Sequence, residues 1–507
     1  MRTEFPLTGS FGKANFNQIN AERLINMYVV QDEQAKKPKY SAPFPGIGAP
    51  VDVPDLMTGG FRASLIHFDT VTGNYYVYAA VADKLYSIDN ALTVVEISDL
   101  THSLGGQSGY VAIADINNAG NTAKPDQILF TDGIKLILYI QNGTGAGISN
   151  ITLPSSSIPQ YVTSMDGYFI CAAQGTLKFY VSDLLDGTTW NALSFASADT
   201  RAGKIVAVKT LKRRLFIFGD KSIESWINVG ASNFPFRRDN NILIEHGLLA
   251  AGSLTEGSGR LFYLAQSQIG TPAIMMIDGT EPNQISSQFL EMEIDNFNHP
   301  EDAVGFCFRI DAQFFYQINF TSDDKSYLYN INSNTWSELE SAVTVGPGGY
   351  YIPHRHAAQT QFYFYNITYV GDFNKPKFYT LSNAYFTNNG DPIVKSGIVH
   401  VFFSPIYNRR EITRVFIDML HGVDVPPNDF NGTQNNNPVV FFSLSADGGD
   451  TYEDFNPEQI GKTGQRLWRT YWYRLGSYYS MTMKWVIYNS IPVYILGGAI
   501  DYEEFSE

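Results

Sequence analysis

Carboxylates and one pair of histidines are the residues of this chain whose types and spacing could do chemistry. Cleaving a glycosidic bond takes two carboxyl groups flanking it, about 5 to 9.5 Å apart, one to give a proton and one to attack or to activate water. Glu224, Glu245, Glu291, Glu293 and Asp295 could be put to that use, but nothing in the sequence brings any two of them together. His354 and His356 are two residues apart. On an extended segment they would face the same side, as two metal ligands must. No third ligand is evident, so the expectation is a surface strand without a metal. The chain has eight histidines and lacks a Gly-x-Ser-x-Gly elbow, a phosphate loop and a His-Glu-x-x-His helix. No catalytic, metal or cofactor-binding residue is assigned, and no cofactor is expected.

Ser445-Ala446-Asp447-Gly448-Gly449-Asp450-Thr451-Tyr452 resembles the Asp-box of sialidase propellers. In those enzymes the box is a hairpin turn whose Asp and Ser/Thr satisfy nearby backbone groups, and the same turn is expected here. Asp186-Gly187-Thr188-Thr189-Trp190 is a looser relative, again expected as a turn. With 50 acidic and 35 basic residues the net charge is -15, which argues against binding nucleic acid by neutralising its phosphates. Lys36-Lys37-Pro38-Lys39, Lys212-Arg213-Arg214 and Arg409-Arg410 are read as solvated edges or turns. Cys171 and Cys307 each lie in an apolar run and are expected as buried free thiols. No apolar run approaches the ~20 residues of a membrane helix, and the opening Met1 to Pro6 lacks a signal-peptide core, so synthesis and folding in a cytosol are expected.

The elements that position these residues read as strands throughout. Arg213 to Phe218, the Gly219-Asp220 turn and Ser222 to Ile227 form a β-hairpin pattern. Similar units can be drawn at 62–98, 109–153, 160–197, 205–238, 243–287, 303–340 and 350–380. About four strands per roughly 40 residues is the beat of a β-propeller, whose sheets stack because none can bury both faces alone. The aromatic content of 14% suits such sheets. The expected fold is all-β, a propeller of six or seven blades over residues 61–380. Before it stands an extended, Pro-rich arm over 1–60, with a short strand at Leu24 to Val30. A linker over 381–398 leads to a C-terminal β-sandwich over 399–507, with an Asn-rich loop at Asp424 to Asn437.

The motifs Asn26-Met27-Tyr28, Phe44-Pro45-Gly46, Phe218-Gly219-Asp220 with Ile223-Glu224, Phe234-Pro235-Phe236-x-Arg238 and Ile244-Glu245-x-Gly247 follow one another in order. Further on stand Ile285-Ser286-Ser287, Gly461-Lys462-x-Gly464 and Trp472-x-Arg474-Leu475-Gly476. In this order the chain resembles the packaged-DNA stabilisation or tail hub (nozzle) proteins of short-tailed bacteriophages, the podoviruses. The resemblance implies a structural, non-enzymatic virion protein of the tail, assembled as a homohexameric ring below a portal adaptor (head-to-tail connector). It implies a channel through which packaged DNA passes without sequence-specific binding, and distal attachment of a needle or plug and of tail fibres or spikes. The acidic balance suits a lumen that does not grip DNA. Tyr28, Phe44, Asp424, Phe430, Asn431 and Asn435 are the candidate subunit or partner contacts. The alternatives are a propeller glycosidase or depolymerase, or a receptor-binding adhesin, acting on host surface glycan.

Overall fold

The computed structural model describes residues 1–5, 12–13, 21–32, 38–54, 58–118, 124–143, 145–199, 201, 203–231, 234–267, 270–345, 350–402, 409–420, 438–461, 465 and 467–504. Short antiparallel strands dominate it, and among the described residues the α-helix Gln288–Asp295 stands alone. Ser287 caps that helix through its side chain, and the helix buries Leu290 and Ile294, one turn apart, against its neighbouring sheets.

Seven antiparallel units of four strands follow one another as propeller blades, the first four as separate sheets and the last three within sheets of five, ten and six strands. Their innermost strands are Phe61–Phe68, Ala112–Ile116, Pro159–Met165, Ile205–Leu211, Thr255–Gly257, Val304–Ile310 and Ala358–Phe364. The side-chain period of two explains why the sheets stack. In Tyr75–Val81 of the first blade, Val77, Ala79 and Val81 share a core with Phe362, Phe364 and Phe378 of the seventh. Tyr78 and Ala80, pointing the other way, share one with Ile128, Phe130 and Ile137 of the second. The hydrophobic core therefore lies between blades, and each sheet is buried on both faces.

Among the described residues, the N-terminal segment expected as an extended arm is paired into sheets. Gly46–Asp52 pairs antiparallel with Lys377–Ser382 and supplies the outer strand of the seventh blade, so the end of the propeller sequence is locked by its beginning. The strand expected at Leu24 to Val30 is present but broken. Asn26 takes a positive φ of 55°, dividing Ala21–Ile25 from Met27–Gln31. Asparagine tolerates this conformation better than most residues. Ala21–Ile25 joins the sixth blade to Lys395–Phe402, while Met27–Gln31 turns away to pair with Lys39–Pro43. The segment expected as a linker also pairs, since Asn388 lies beside Ile47 and the strand Lys395–Phe402 begins within it.

Beyond the propeller, two sheets share one core. One contains Lys395–Phe402, Ser480–Ile487, Val439–Ser445 and Glu453–Gln459, and it continues through Ala21–Ile25 into the sixth blade as a ten-stranded sheet. The other contains Arg410–Leu420, Tyr494–Glu504, Leu467–Tyr473 and the N-terminal Arg2–Phe5 and Met27–Gln31. Val399, Phe442, Met483 and Trp485 from the first meet Val415, Ile417, Trp472 and Ile500 from the second. The sequence reading missed Glu453–Gln459, whose charged, exposed residues and Pro457 suit only an edge.

Candidate functional site

The seven inner strands converge on a central cavity of about 170 Å³. Its wall carries Arg62 from the first blade, Tyr110 and Tyr161 from the second and third, Lys209 from the fourth, Thr255 from the fifth and Cys307 from the sixth. Gln361 comes from the seventh. Arg62 is buried and spends its guanidinium on backbone, donating to the carbonyls of Ala82, Gly106, Ser108, Gly109 and Tyr110. It anchors the segment that leads into the second blade. Tyr110 stacks on Tyr161 with ring centres 5.7 Å apart, and its hydroxyl donates to the Gln160 carbonyl at 2.9 Å. Lys209 is half-buried and makes no hydrogen bond or ion pair among the described residues. Burial pulls its pKa down, opposed by the charges of Glu256 and Asp115. Burial pushes the Cys307 thiol well above its usual range, so it is a neutral wall group.

Of the carboxylates weighed for hydrolysis, Glu224, Glu245 and Glu291 are engaged by neighbouring side chains. Glu224 is buried and accepts from the Trp226 indole at 3.1 Å, with Arg238 at 3.8 Å. Glu245 is paired with Arg201. Glu291 accepts from the Ser286 hydroxyl at 2.5 Å and shares the single helix with Glu293 and Asp295. None of the five lines the central cavity.

The histidines do not face one way. His354 is exposed and meets Asp324 at 2.8 Å, whereas His356 is buried, with its ring edge-on to Phe44 at 5.4 Å. The expectation fails because the strand ends at Arg355, so the alternation of sides does not continue to His356. Burial, together with the neighbouring Arg355 charge, pulls the pKa of His356 down to about 3, and it stays neutral at ordinary pH. Among the described residues no group of three His, Cys, Asp or Glu could hold a metal.

Asp447 forms the expected turn, accepting from the hydroxyls of Ser445 and Thr451, each at 2.6 Å, and from the Asp450 and Thr451 amides. Hydrogen bonds from Ser445 and Thr451 hold its carboxyl below the usual range. Asp186 makes a similar turn, accepting from the Thr188 amide at 2.9 Å. Lys212 and Arg213 sit at the tip of a hairpin, both at positive φ. Lys212, Arg213 and Arg214 face Asp278, Asp166 and Asp239, so this basic run is a compensated turn.

Of the candidate contacts, Tyr28 and Phe44 lie in one core cluster with the sixth and seventh blades. Tyr28 packs edge-on against Phe315 at 5.0 Å and Phe44 against Phe308 at 6.2 Å. Both rings are used within the chain. Asp424, Phe430, Asn431 and Asn435 lie outside the described residues. The cavity residues Lys209, Tyr161 and Gln361 were missed, although each stands in the first strand of its unit, the strand that faces a propeller's axis.

Compared with known protein families, residues 4–385 match the family described as "Bacteriophage P22 Gp10, beta-propeller". The chain belongs to this family. It is a structural bacteriophage protein of the DNA-stabilisation type, a virion component built on a propeller. Curated proteins offer no match. Among solved structures, YCF48 from Cyanidioschyzon merolae is similar at 12% identity and a TM-score of 0.39, covering 66% of this chain and 99% of that one. BBS1N in complex with ARL6DN is similar at 10% identity and a TM-score of 0.39, covering 66% and 93%. The structure also accounts for the motifs that carried the family resemblance. Trp226 lies directly across from Arg238 on the neighbouring strand, and Glu224, beyond a shift in the register, reaches both. Gly247 lies so close to the Gly219-Asp220 turn that a Cβ there would stand 2.1 Å from the Asp220 carbonyl oxygen. The first three residues tie together strands of the fourth blade, and Gly247 fits the fifth closely against it.

Proposed function

We propose that this protein is a tail hub, or nozzle, subunit of a short-tailed phage. Six copies form a ring below the portal adaptor, extend the DNA channel, retain the packaged genome and anchor a needle or plug and the tail fibres or spikes. The observation that carries this reading is the family match over residues 4–385. Two features support it. Glu224, Glu245, Glu291, His354 and His356 are engaged in hydrogen bonds, ion pairs and core contacts, which suits a protein that works by assembly without turnover. The net charge of -15 suits a conduit from which DNA slides freely. Protein made in the host cytoplasm would join the tail as the virion matures.

Light scattering on the purified chain, alone and mixed with its portal adaptor, tests the proposal. Rings of six, formed alone or on the adaptor, are the expected outcome. A monomer that ignores the adaptor overturns it and shifts attention to release of, or binding to, host glycan.

A further inference from the structure

The central cavity holds positive charge that no contacting carboxylate neutralises. Arg62 is charged, but its five N–H bonds all go to carbonyl oxygens. Lys209 has no hydrogen-bonded or ion-paired partner among the described residues, and no Asp or Glu lines this cavity. Asp115 and Glu256 act on Lys209 only from beyond contact distance. Asp115 is held by the ring of His67 at 2.9 Å, and Glu256 lies in the neighbouring depression with Ser258 and Tyr363.

Around the same cavity stand uncommitted hydrogen-bond donors. Tyr161 is 7% exposed, and its hydroxyl has no partner among the described residues. The Thr255 hydroxyl and the Gln361 side-chain amide have none either. On the same wall the Thr360 hydroxyl is buried without a partner among the described residues, a costly state that an acceptor-bearing occupant of the cavity would relieve. A volume of about 170 Å³ is far above the ~10–15 Å³ that one water needs on the same measure.

We propose that the centre of the propeller binds a small inorganic oxyanion of the phosphate or sulfate class, with Lys209 as its charge partner and Tyr161, Thr255 and Gln361 as donors. One cation with three neutral donors on different blades matches the acceptor oxygens of a tetrahedral anion. The occupant would tie the third, fourth, fifth and seventh blades together across the axis. This site is independent of the hub reading, since it needs neither a ring nor a tail partner.

Calorimetric titration of the full-length protein with inorganic phosphate, at ionic strength held constant with chloride, tests it. One saturable site per chain is expected. Lys209→Met should weaken binding about tenfold or more, as loss of a charge-assisted hydrogen bond implies. Tyr161→Phe should weaken it less, and Lys209→Arg should retain it. A crystal soaked in selenate locates the anion by anomalous scattering even if Lys209→Met fails to fold. Selenate beside Lys209 supports the proposal. No saturable binding, equal affinity in Lys209→Met, or selenate bound only elsewhere would each overturn it.

Discussion

Lys395 is the residue whose chemistry stability should report most directly. It is 1% exposed, and its Nζ donates only to the carbonyls of Ile393 at 3.3 Å and Asn489 at 3.2 Å. Burial lowers its pKa to about 7. The unfolded chain keeps the ordinary lysine value, so between about pH 7 and about pH 10.4 it binds more protons than the folded one. Stability from this group therefore rises with pH across that window and is lost as pH falls toward 7. The full effect is about 5 kcal/mol. Lys395→Met should melt higher than the parent at pH 7, and the gap should narrow as the pH approaches 10. Melting curves of both proteins across that range check it; a constant gap would mean that burial does not lower the Lys395 pKa. The sequence alone could not show this, because the burial of Lys395 depends on a turn near residue 489, 94 positions away. Asp447 was legible for the opposite reason, since all its partners lie within four residues. His356 was misread because its surroundings, Phe44 and Gln317, come from distant parts of the sequence.

At the scale of elements, blades were legible and edges were not. Each blade is a local meander, so apolar runs and turn residues give its strands in order. The strands that join one unit to another are set by long-range partners, and Ala21–Ile25 and Met27–Gln31 show this best. Sequence gave one strand there, and the structure divides it at Asn26. The Asn26 side chain donates to the carbonyls of Glu340 at 2.9 Å and Val394 at 2.8 Å, and accepts from the Glu340 amide at 2.9 Å. Asn26→Ala removes all three bonds and places a Cβ-bearing residue without compensation at positive φ. The expected loss is about 3 kcal/mol, from unpaired buried groups together with backbone strain. Asn26→Gly relieves the strain but restores none of the bonds, and should recover about 1 kcal/mol of it. Urea unfolding of the three proteins measures both steps. A loss in Asn26→Ala below about 1 kcal/mol would show that the side chain does not hold this break together.

At the scale of the whole molecule, the two parts of the chain share backbone pairing. The ten-stranded sheet runs from the sixth blade, through Ala21–Ile25, to Glu453–Gln459. At the seam, Arg23 forms a bidentate pair with the buried Glu338 of the sixth blade. Burial disfavours the Arg23 charge, but the bond to Glu338 outweighs it and the pKa is raised. A buried pair of this kind is costly to break from one side, because the remaining charge is left unpaired. Separate domains joined by a linker would unfold separately, whereas parts sharing a sheet, a buried ion pair and the Tyr28–Phe44 core should unfold together. Calorimetry on the intact chain should show one transition. Removing residues 1–32 takes out Ala21–Ile25, Met27–Gln31 and Arg23 while leaving Gly46–Asp52 to complete the seventh blade. That deletion should split the transition in two, with the C-terminal sheets melting first because they lose Leu24, Met27 and Val29 from their core. Two transitions in the intact protein, or a single one after the deletion, would show that the N-terminal strands do not couple the two parts.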